Sequence, residues 1–327
     1  MHYLGIEIGG TKLQLGIGPG DGTLAGLWRD TVDVAAGPQG IRRQIMAAVP
    51  ELLATAGLSF RDLKGVGIGF GGPVDDATHT VIKSHQIEGW DDFPLADWMS
   101  DLVGLTAVLG NDADCAGLAE ALFGAGKGLS PIFYITIGSG IGGGLIINGE
   151  IYRGVGRGAA EIGHLRFKTC WVKDAQALFT SPDGILEQLA SGWGIAENAK
   201  RCILQEQPIY SSLYPKAQNP KHPPTAKDVV KAALEGDAFA DSIIQSAVGY
   251  LADGICHVLA LLCPRRIIIG GGVSLMGEKL LFQPLRELVA RRVFKPFVAC
   301  YDIVPAALGE EVVVHGALAL ARRKLAG

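Results

Sequence analysis

The 327-residue sequence predicts an α/β fold built in two lobes. The length fits two domains better than one, because ordinary domains contain about 100 to 200 residues. Two segments, one at the N-terminus and one beginning near residue 132, each show three short apolar strands joined by turns. Other apolar strands end in glycine or in Asn-Asp and lead into residues with helical periodicity. The repeated strand meander indicates that each lobe begins in the same way.

The first meander opens the chain. Residues 3–8 and 13–17 are predicted to form a β-hairpin around a glycine turn, and residues 24–32 a third strand. Residues 40–56 carry apolar side chains at helical spacing and predict a helix. Further elements are predicted as strands at 65–69 and 106–109 and a helix at 113–123.

The second meander comprises strands predicted at residues 132–137, 145–147 and 151–153. Residues 207–224 are rich in proline and predict an exposed loop. The other elements predicted for this half are helices at 184–202, 226–234 and 238–262, a strand at 266–269 and a final helix at 315–325.

Composition and charge exclude several classes of partner. The formal net charge of −4 gives no electrostatic attraction for nucleic acid or for an anionic membrane, so neither is expected as a partner. The most apolar later stretch, residues 258–269, is too short to span a bilayer, and no membrane span is predicted. A small-molecule partner is expected instead.

The cysteines and the N-terminal residues predict a cytoplasmic location. Six cysteines are scattered without CxxC spacing, a pattern typical of reduced thiols in a cytosol. The first residues lack the basic region, apolar region and cleavage site of a secretory signal. We therefore expect a cytoplasmic protein.

The first glycine-rich turn has the residue types of a phosphate site. Gly9, Gly10, Thr11 and Lys12 place backbone N–H groups, a hydroxyl and an ammonium close together, directly after Glu7. An ordinary hairpin, whose glycines supply positive φ, explains this turn equally well when it is taken alone. The similar turn of the second meander favours the phosphate interpretation.

That second turn contains Gly138, Ser139 and Gly140, which begin a GxGxxG pattern. In dinucleotide-binding folds a helix follows this pattern and binds the pyrophosphate at its N-terminus. Residues 145–149 instead predict a strand and an Asn-Gly turn, which favours a second phosphate-facing hairpin. A third cluster, Gly270, Gly271 and Gly272, would let an adenosine approach the backbone, but a tight turn explains it about as well.

Four polar residues are candidates for ligand contacts. Asn111 and Asp112 lie between a predicted strand and a predicted helix, where α/β proteins place ligand-binding side chains. A helix N-cap is the competing interpretation, because Asn and Asp are preferred there. Glu161 and His164 have the spacing of metal ligands on a helix, but their neighbouring glycines favour a loop. Such a pair is more often an ordinary polar pair than a ligand set.

Together these motifs resemble the ROK family of sugar kinases and sugar-responsive repressors, along essentially the whole chain. Segments 7–12, 110–114, 137–144 and 269–273 match the first phosphate motif, the catalytic segment, the second phosphate motif and the adenosine motif, in that order. The resemblance is to the glucokinase-like branch. It implies two actin-like (ribonuclease H-like) lobes with the active site in a cleft between them.

The resemblance also implies lobe boundaries, roles and ligands. One lobe would comprise residues 1–112 and 311–327, and the larger one residues 113–310. The protein would be an ATP-dependent hexose kinase that uses Mg²⁺, with Asp112 as general base, and would form a homodimer. The implied sugar contacts are Gly72, Asn111, Asp112, Glu161, His164 and Glu187. The implied nucleotide contacts are Gly9, Gly10, Thr11, Lys12, Gly138, Ser139, Gly140, Gly271 and Gly272.

The chain departs from the family pattern at two places. Many members bind a structural zinc ion through a histidine and three cysteines spaced CxCGxxGC, whereas only His164 and Cys170 stand in this region here. Four tetrahedral ligands cannot be assembled locally, so no zinc is expected. Glu7 stands where an aspartate is more usual, and its longer carboxylate could still hold Mg²⁺ through water.

Two other functions compete with catalysis. A sugar-responsive repressor would need a DNA-binding domain ahead of the first phosphate motif, which begins within the first ten residues. A catalytically silent sugar or nucleotide sensor of the same fold is the remaining alternative, and retention of the catalytic and phosphate motifs argues against it. The identity of the sugar and the choice between ATP and polyphosphate as donor stay open.

Overall fold

A computed structural model describes residues 1–84, 87–168, 184–206, 208–219 and 221–326. Two five-stranded sheets dominate these residues, together with two short two-stranded sheets. The strand order is β3-β2-β1-β4-β7 in the first large sheet and β10-β9-β8-β13-β14 in the second. Each large sheet thus contains one meander of three consecutive strands, as the sequence predicts.

In the first sheet the meander is extended by two parallel strands. Its strands are β1 (His2–Ile8), β2 (Lys12–Gly18), β3 (Gly26–Thr31), β4 (Leu63–Phe70) and β7 (Ala107–Asn111), with β5 (Val74–Asp75) and β6 (Thr80–Val81) forming a small hairpin. Strand β1 pairs antiparallel with β2 and parallel with β4, which pairs parallel with β7. The inner strands are buried along nearly their whole length, because helices cover the sheet.

The helices on this sheet are α1 (Gly37–Thr55), α2 (Leu95–Val103), α3 (Asp112–Phe123) and α10 (Val312–Leu325). Helix α10 packs closely against β4 and α3, because glycine stands at the contacts. A Cβ atom added to Gly67 would lie 1.8 Å from the carbonyl oxygen of Ala317, and one added to Gly316 would lie 1.8 Å from that of Cys115. The C-terminal helix is therefore an integral part of this sheet's core.

The remaining strands and helices follow α3. The strands are β8 (Ile132–Ile137), β9 (Ile141–Ile147), β10 (Glu150–Ile151), β11 (Arg166–Phe167), β12 (Gly184–Ile185), β13 (Arg266–Gly270) and β14 (Asp302–Pro305). The helices are α4 (Leu186–Ala190), α5 (Gly192–Glu206), α6 (Tyr214–Ala217), α7 (Ala226–Leu234), α8 (Ala238–Leu262) and α9 (Gln283–Arg292).

Helix α8 is long and apolar enough to cross a membrane by length and composition alone. It is longer than the apolar stretch that the sequence singled out at residues 258–269. However, 56% of its most apolar window is buried inside the protein, and α8 packs on α4, α7 and α9. These are the properties of a core helix.

By density of contacts the chain divides into two compact units. The first contains Met1–Tyr134, Gly143–Ala160 and Ala306–Gly327, and the second contains Ile135–Gly142 and Glu161–Pro305. This division follows the packing of the chain rather than the repeat of the meanders. The lobe boundaries at residues 112/113 and 310/311 therefore stay a prediction.

Several elements differ from their prediction. The segment predicted as one helix at 184–202 is a short strand and two helices, because the chain turns at Ser191. The predicted loop at 207–224 contains the short helix α6. The sequence analysis missed α2 and α9, and it missed β14, a four-residue strand at the edge of its sheet.

Candidate active site

The first part of the candidate site lies where three parallel strands end. The register pairs Ile8 of β1 with Phe70 of β4, and Phe70 with Asn111 of β7. The residues that follow these strand ends therefore meet at one edge of the sheet, where open α/β sheets bind ligands. A Cβ atom added to Gly71 would lie 3.5 Å from Asp112 Oδ2 and 3.5 Å from the Cα atom of Gly9. The first phosphate turn and the catalytic segment are thus neighbours.

Asn111 is the N-cap of helix α3. Its Oδ1 accepts hydrogen bonds from the backbone N–H groups of Ala113 at 2.8 Å and Asp114 at 3.3 Å. Its Nδ2 donates to the carbonyl oxygen of Gly72 at 3.0 Å. The capping interpretation is therefore confirmed, and a sugar contact by Asn111 stays a prediction. The amide ties the start of α3 to the turn after β4.

Asp112 occupies the first turn of α3. One carboxylate oxygen accepts a hydrogen bond from the N–H of Ala113 at 2.8 Å. A helix N-terminus carries partial positive charge and stabilises a carboxylate placed there. The side chain is half-buried at the strand edge that also holds Gly9 and Gly71.

In the phosphate turn, the lysine is already bound by other protein groups. The N–H of Gly9 donates to the carbonyl of Lys12 at 2.9 Å, which closes the turn. Lys12 Nζ lies 3.1 Å from Glu7 Oε1 and donates to the carbonyl oxygen of Glu310 at 3.1 Å. The ammonium is consequently held in place, with Thr11 exposed beside it.

Glu7 is a buried carboxyl group, with 6% of the residue exposed. Burial raises the pKa of Glu7 to about 7, against the opposing effect of Lys12, and the negative charges of Asp112 and Glu310 raise it further. Oε1 pairs with Lys12, whereas Oε2 has no hydrogen-bond partner among the described residues. The buried carboxylate oxygen beside a phosphate turn has the chemistry of a ligand for a hard cation.

The shifted pKa of Glu7 predicts a pH dependence of stability. Between the ordinary value of 4.5 and about 7, Glu7 binds a proton in the folded protein but not in the unfolded chain. The folded state is stabilised by this proton, and the stabilisation is lost as the pH rises through about 7. In magnesium-free buffer, we expect the free energy of unfolding of wild type to fall by about 3 kcal/mol between pH 5 and pH 8.5, relative to that of Glu7→Gln. Urea unfolding of both proteins across this range measures the difference. If the free energies of unfolding of the two proteins changed in parallel with pH, the raised pKa of Glu7 would be contradicted.

The second glycine turn lies in the other compact unit. The N–H of Gly138 donates to the carbonyl of Gly140 at 2.9 Å, and the N–H of Gly192 donates to the carbonyl of Gly138 at 2.8 Å. The turn therefore packs against the start of α5. Strand β9 follows it, as predicted, so the arrangement differs from a dinucleotide-binding βα turn.

One predicted sugar-contacting residue, Glu187, binds the backbone of Ile141, the residue after this turn, and the segment that carries two others packs on it. Glu187 Oε2 accepts a hydrogen bond from the N–H of Ile141 at 2.8 Å, and a Cβ atom on Gly140 would lie 2.4 Å from that oxygen. Gly163 packs so closely on Ile141 that a Cβ atom there would lie 2.1 Å from its carbonyl oxygen. Glu161 and His164 flank this glycine and are exposed. Glu161 is the N-cap of a short 3₁₀ helix and His164 is its last residue, so the pair lies neither on an α-helix nor in the loop that the glycines favoured.

The third glycine cluster lies in the same compact unit as the second glycine turn. Gly271 has a positive φ of 84°, and a Cβ atom there would lie 2.5 Å from the carbonyl oxygen of Ile137. Glycine is required here because other residues rarely adopt this positive φ and because the carbonyl of Ile137 leaves no space for a side chain. A Cβ atom on Gly272 would meet nothing within 4 Å, so this residue borders open space. Gly272 is the first residue of the 3₁₀ helix Gly272–Met276.

Sequence reasoning missed a largely buried arginine that supports α3. Arg153 Nε lies 3.0 and 3.1 Å from the carboxylate oxygens of Asp76, and Nη2 donates to the carbonyl of Val74 at 3.1 Å. Nη1 forms an ion pair with Asp114, which is 2% exposed and lies two residues after Asp112. This arginine also borders a cavity of about 160 Å³ between β7, α3 and α10.

Removing Arg153 should destabilise the protein strongly. In Arg153→Met the buried carboxylate of Asp114 loses its cationic partner, and breaking a buried pair costs about 3–5 kcal/mol. The matched control is Arg157→Met, because Arg157 pairs with Asp75 while 70% of its side chain is exposed. We expect the control to cost less than about 1 kcal/mol in urea unfolding. Equal losses for the two variants would refute the structural role of Arg153.

Comparison with known proteins agrees with this geometry. The ROK family profile matches residues 3–324. The chain belongs to the ROK family. It is 34% identical to a glucokinase of Halalkalibacterium halodurans over 87% of this chain and 84% of that protein. It is 32% identical to a glucokinase of Thermotoga maritima over 100% of this chain and 99% of that protein.

A solved structure extends the comparison to the fold. A ROK family glucokinase from Streptomyces griseus, in complex with glucose and AMPPNP, is 31% identical and superposes with a TM-score of 0.75 over 99% of this chain and 100% of that one. The predicted family and actin-like α/β fold class are therefore confirmed. The roles of individual residues stay predictions.

The expected absence of zinc also stays a prediction. Cys170 lies outside the residues that the structure describes. Within the described ranges, no group of three or more His, Cys, Asp or Glu side chains could hold a metal ion.

Proposed function

We propose that this protein is an ATP-dependent sugar kinase of the cytoplasm, transferring the γ-phosphoryl group to a hexose hydroxyl. The observation that carries the proposal is the position of Asp112. Its carboxylate lies at the sheet edge beside Gly71 and the first phosphate turn. The similarity to several glucokinases supports the same activity.

Asp112 is proposed as the general base. A carboxylate within hydrogen-bond reach of the acceptor hydroxyl accepts its proton as the oxygen attacks phosphorus, which accelerates transfer by about 10²- to 10⁴-fold. Placement in the first turn of α3 puts the carboxylate at the partly positive end of the helix, which stabilises its negative charge. The N-cap amide of Asn111 fixes this turn relative to Gly72.

The glycine turns are proposed to bind the nucleotide. Phosphoryl transfer requires chiefly positioning and neutralisation of charge. In the first turn, the residues assigned to the phosphates are Gly9, Gly10, Thr11 and Lys12. In the second unit, they are Gly138, Ser139 and Gly140, with Gly271 and Gly272 beside the adenosine. Close packing of Gly271 on Ile137 supports joint action of the last two clusters.

Glu7 is the residue proposed to hold Mg²⁺, through water. Its buried Oε2, which has no hydrogen-bond partner among the described residues, fits a hard cation. Bound Mg²⁺ supplies neutralisation of charge on the β and γ phosphates. Glu7 also pairs with Lys12, so it holds the lysine ammonium in place at the turn.

The sugar is proposed to contact Gly72, Asn111, Asp112, Glu161, His164 and Glu187. Carboxylate, amide and imidazole groups can satisfy the many donors and acceptors of a hexose. In the second unit, Glu187 binds the N–H of Ile141 and Gly163 packs on its carbonyl, and Glu161 and His164 belong to the segment that contains Gly163, which supports a shared role.

Replacing the base should separate binding from turnover. We expect Asp112→Asn to lower kcat by at least about 10²-fold and to leave the sugar dissociation constant within about threefold. The control is Asp101→Asn, an exposed aspartate on α2. ADP release with Mg-ATP is measured across hexoses and N-acetylhexosamines, with polyphosphate as donor in parallel.

Each outcome of this assay has a defined meaning. Sugar-dependent ADP release by wild type that is lost in Asp112→Asn supports the kinase and identifies its acceptor. Near-normal turnover by Asp112→Asn removes Asp112 from the mechanism. No turnover by wild type on any sugar, with sugar binding still detected by thermal shift, would replace the kinase with a catalytically silent sensor.

A further inference from the structure

Glu120 is a buried carboxylate that the proposed mechanism does not use. It lies in the third turn of α3 and is fully buried. Oε2 accepts a hydrogen bond from the N–H of Ala125 at 2.7 Å. Oε1 accepts two, from the N–H groups of Ala307 at 2.8 Å and Leu308 at 2.9 Å. Three backbone donors thus compensate the cost of burying this charge.

The segment that Glu120 holds also contacts the phosphate turn. Ala307 and Leu308 precede the 3₁₀ helix Gly309–Glu311. The carbonyl oxygen of Glu310 accepts hydrogen bonds from Lys12 Nζ and from Gln14 Nε2, both at 3.1 Å. Gln14 is fully buried, so its amide fixes the position of this carbonyl. Segment 306–311 is therefore bound at one end by α3 and at the other by the hairpin of β1 and β2.

Arg29 of β3 adds a second attachment to the same segment. It lies 3.5 Å from the carboxylate of Glu310 and forms an ion pair with Glu311. These carboxylates are partly or largely exposed, so the pairs contribute little stability. The backbone hydrogen bonds to Glu120, Lys12 and Gln14 are then the stronger restraints on segment 306–311.

We propose that Glu120 is a positioning residue for nucleotide binding, acting through segment 306–311 on the ammonium of Lys12. This inference rests on the proposed function, in which Lys12 contacts phosphate. Helix α3 carries Asp112 at its start and Glu120 two turns later. It therefore sets the position of Lys12 relative to Asp112. Losing the Glu120 contacts removes one of the restraints on segment 306–311, so the Glu310 carbonyl is held less firmly and the lysine ammonium is less ordered.

Two substitutions disturb this carboxylate in different ways. Glu120→Gln turns one acceptor oxygen into an N–H₂ group that faces a backbone N–H, leaving buried donors unpaired. Gly124→Ala keeps the charge but adds a Cβ atom 2.1 Å from Glu120 Oε2, which forces the carboxylate to move. Glu51→Gln, at an exposed position on α1, is the matched control.

Binding of Mg-AMPPNP and of the sugar is measured by calorimetry, with thermal unfolding recorded for each protein. We expect Glu120→Gln and Gly124→Ala to weaken nucleotide binding about tenfold and to leave sugar binding within about twofold. Glu51→Gln should change neither. Equal weakening of both ligands, or no weakening of nucleotide binding, would overturn the proposal.

A double-mutant cycle with Lys12→Met tests whether Glu120 acts through Lys12. Changes in binding free energy add when two substitutions act independently, whereas they are not additive for residues in one network. In the Lys12→Met background we expect Glu120→Gln to weaken Mg-AMPPNP binding by less than about twofold. A further tenfold loss would refute the connection through Lys12. If wild type binds no Mg-AMPPNP, the proposed function fails together with this inference. If wild type binds Mg-AMPPNP but the losses of Glu120→Gln and Lys12→Met are additive, only the inference is refuted.

Discussion

Parallel pairing of β1, β4 and β7 is the constraint on which the first part of the site depends. Because Ile8, Phe70 and Asn111 are in register, the chain leaves all three strands at the same edge. A shift of one residue in β4 would turn its buried side chains to the opposite face of the sheet. The core therefore specifies the register, and the register brings Gly9, Gly71 and Asp112 together.

The sequence predicted most of this framework because the relevant signals are local. Strand alternation, glycine turns and the Asn-Asp pair at a helix start depend on neighbouring residues only. Helix α2 was readable in the same way, since Leu95, Ala96, Met99 and Val103 follow helical spacing and Gly104 ends it. Strand β14 was harder to predict, because it is four residues long and exposed at both ends.

Long-range hydrogen bonds could not be predicted from the sequence. Glu120 and Ala307 are 187 residues apart, and Arg153 meets Asp76 across 77 residues. A carboxylate among apolar residues of a helix indicates burial, but which distant backbone groups satisfy it depends on tertiary packing. The same limit applies to Asn111, for which a cap and a ligand contact were alternatives. The structure demonstrates the cap, because the backbone donors of α3 lie within its reach.

Three buried carboxylates of the first unit differ in how their charge is compensated. Glu120 accepts three backbone hydrogen bonds, and Asp114 pairs with Arg153. Glu7 pairs with Lys12 through one oxygen, and burial still raises its pKa to about 7. Proteins tolerate incomplete compensation mainly where function requires it. Glu7 lies at the phosphate turn, so this carboxylate with its raised pKa and unpartnered Oε2 is the one placed to gain from a bound cation.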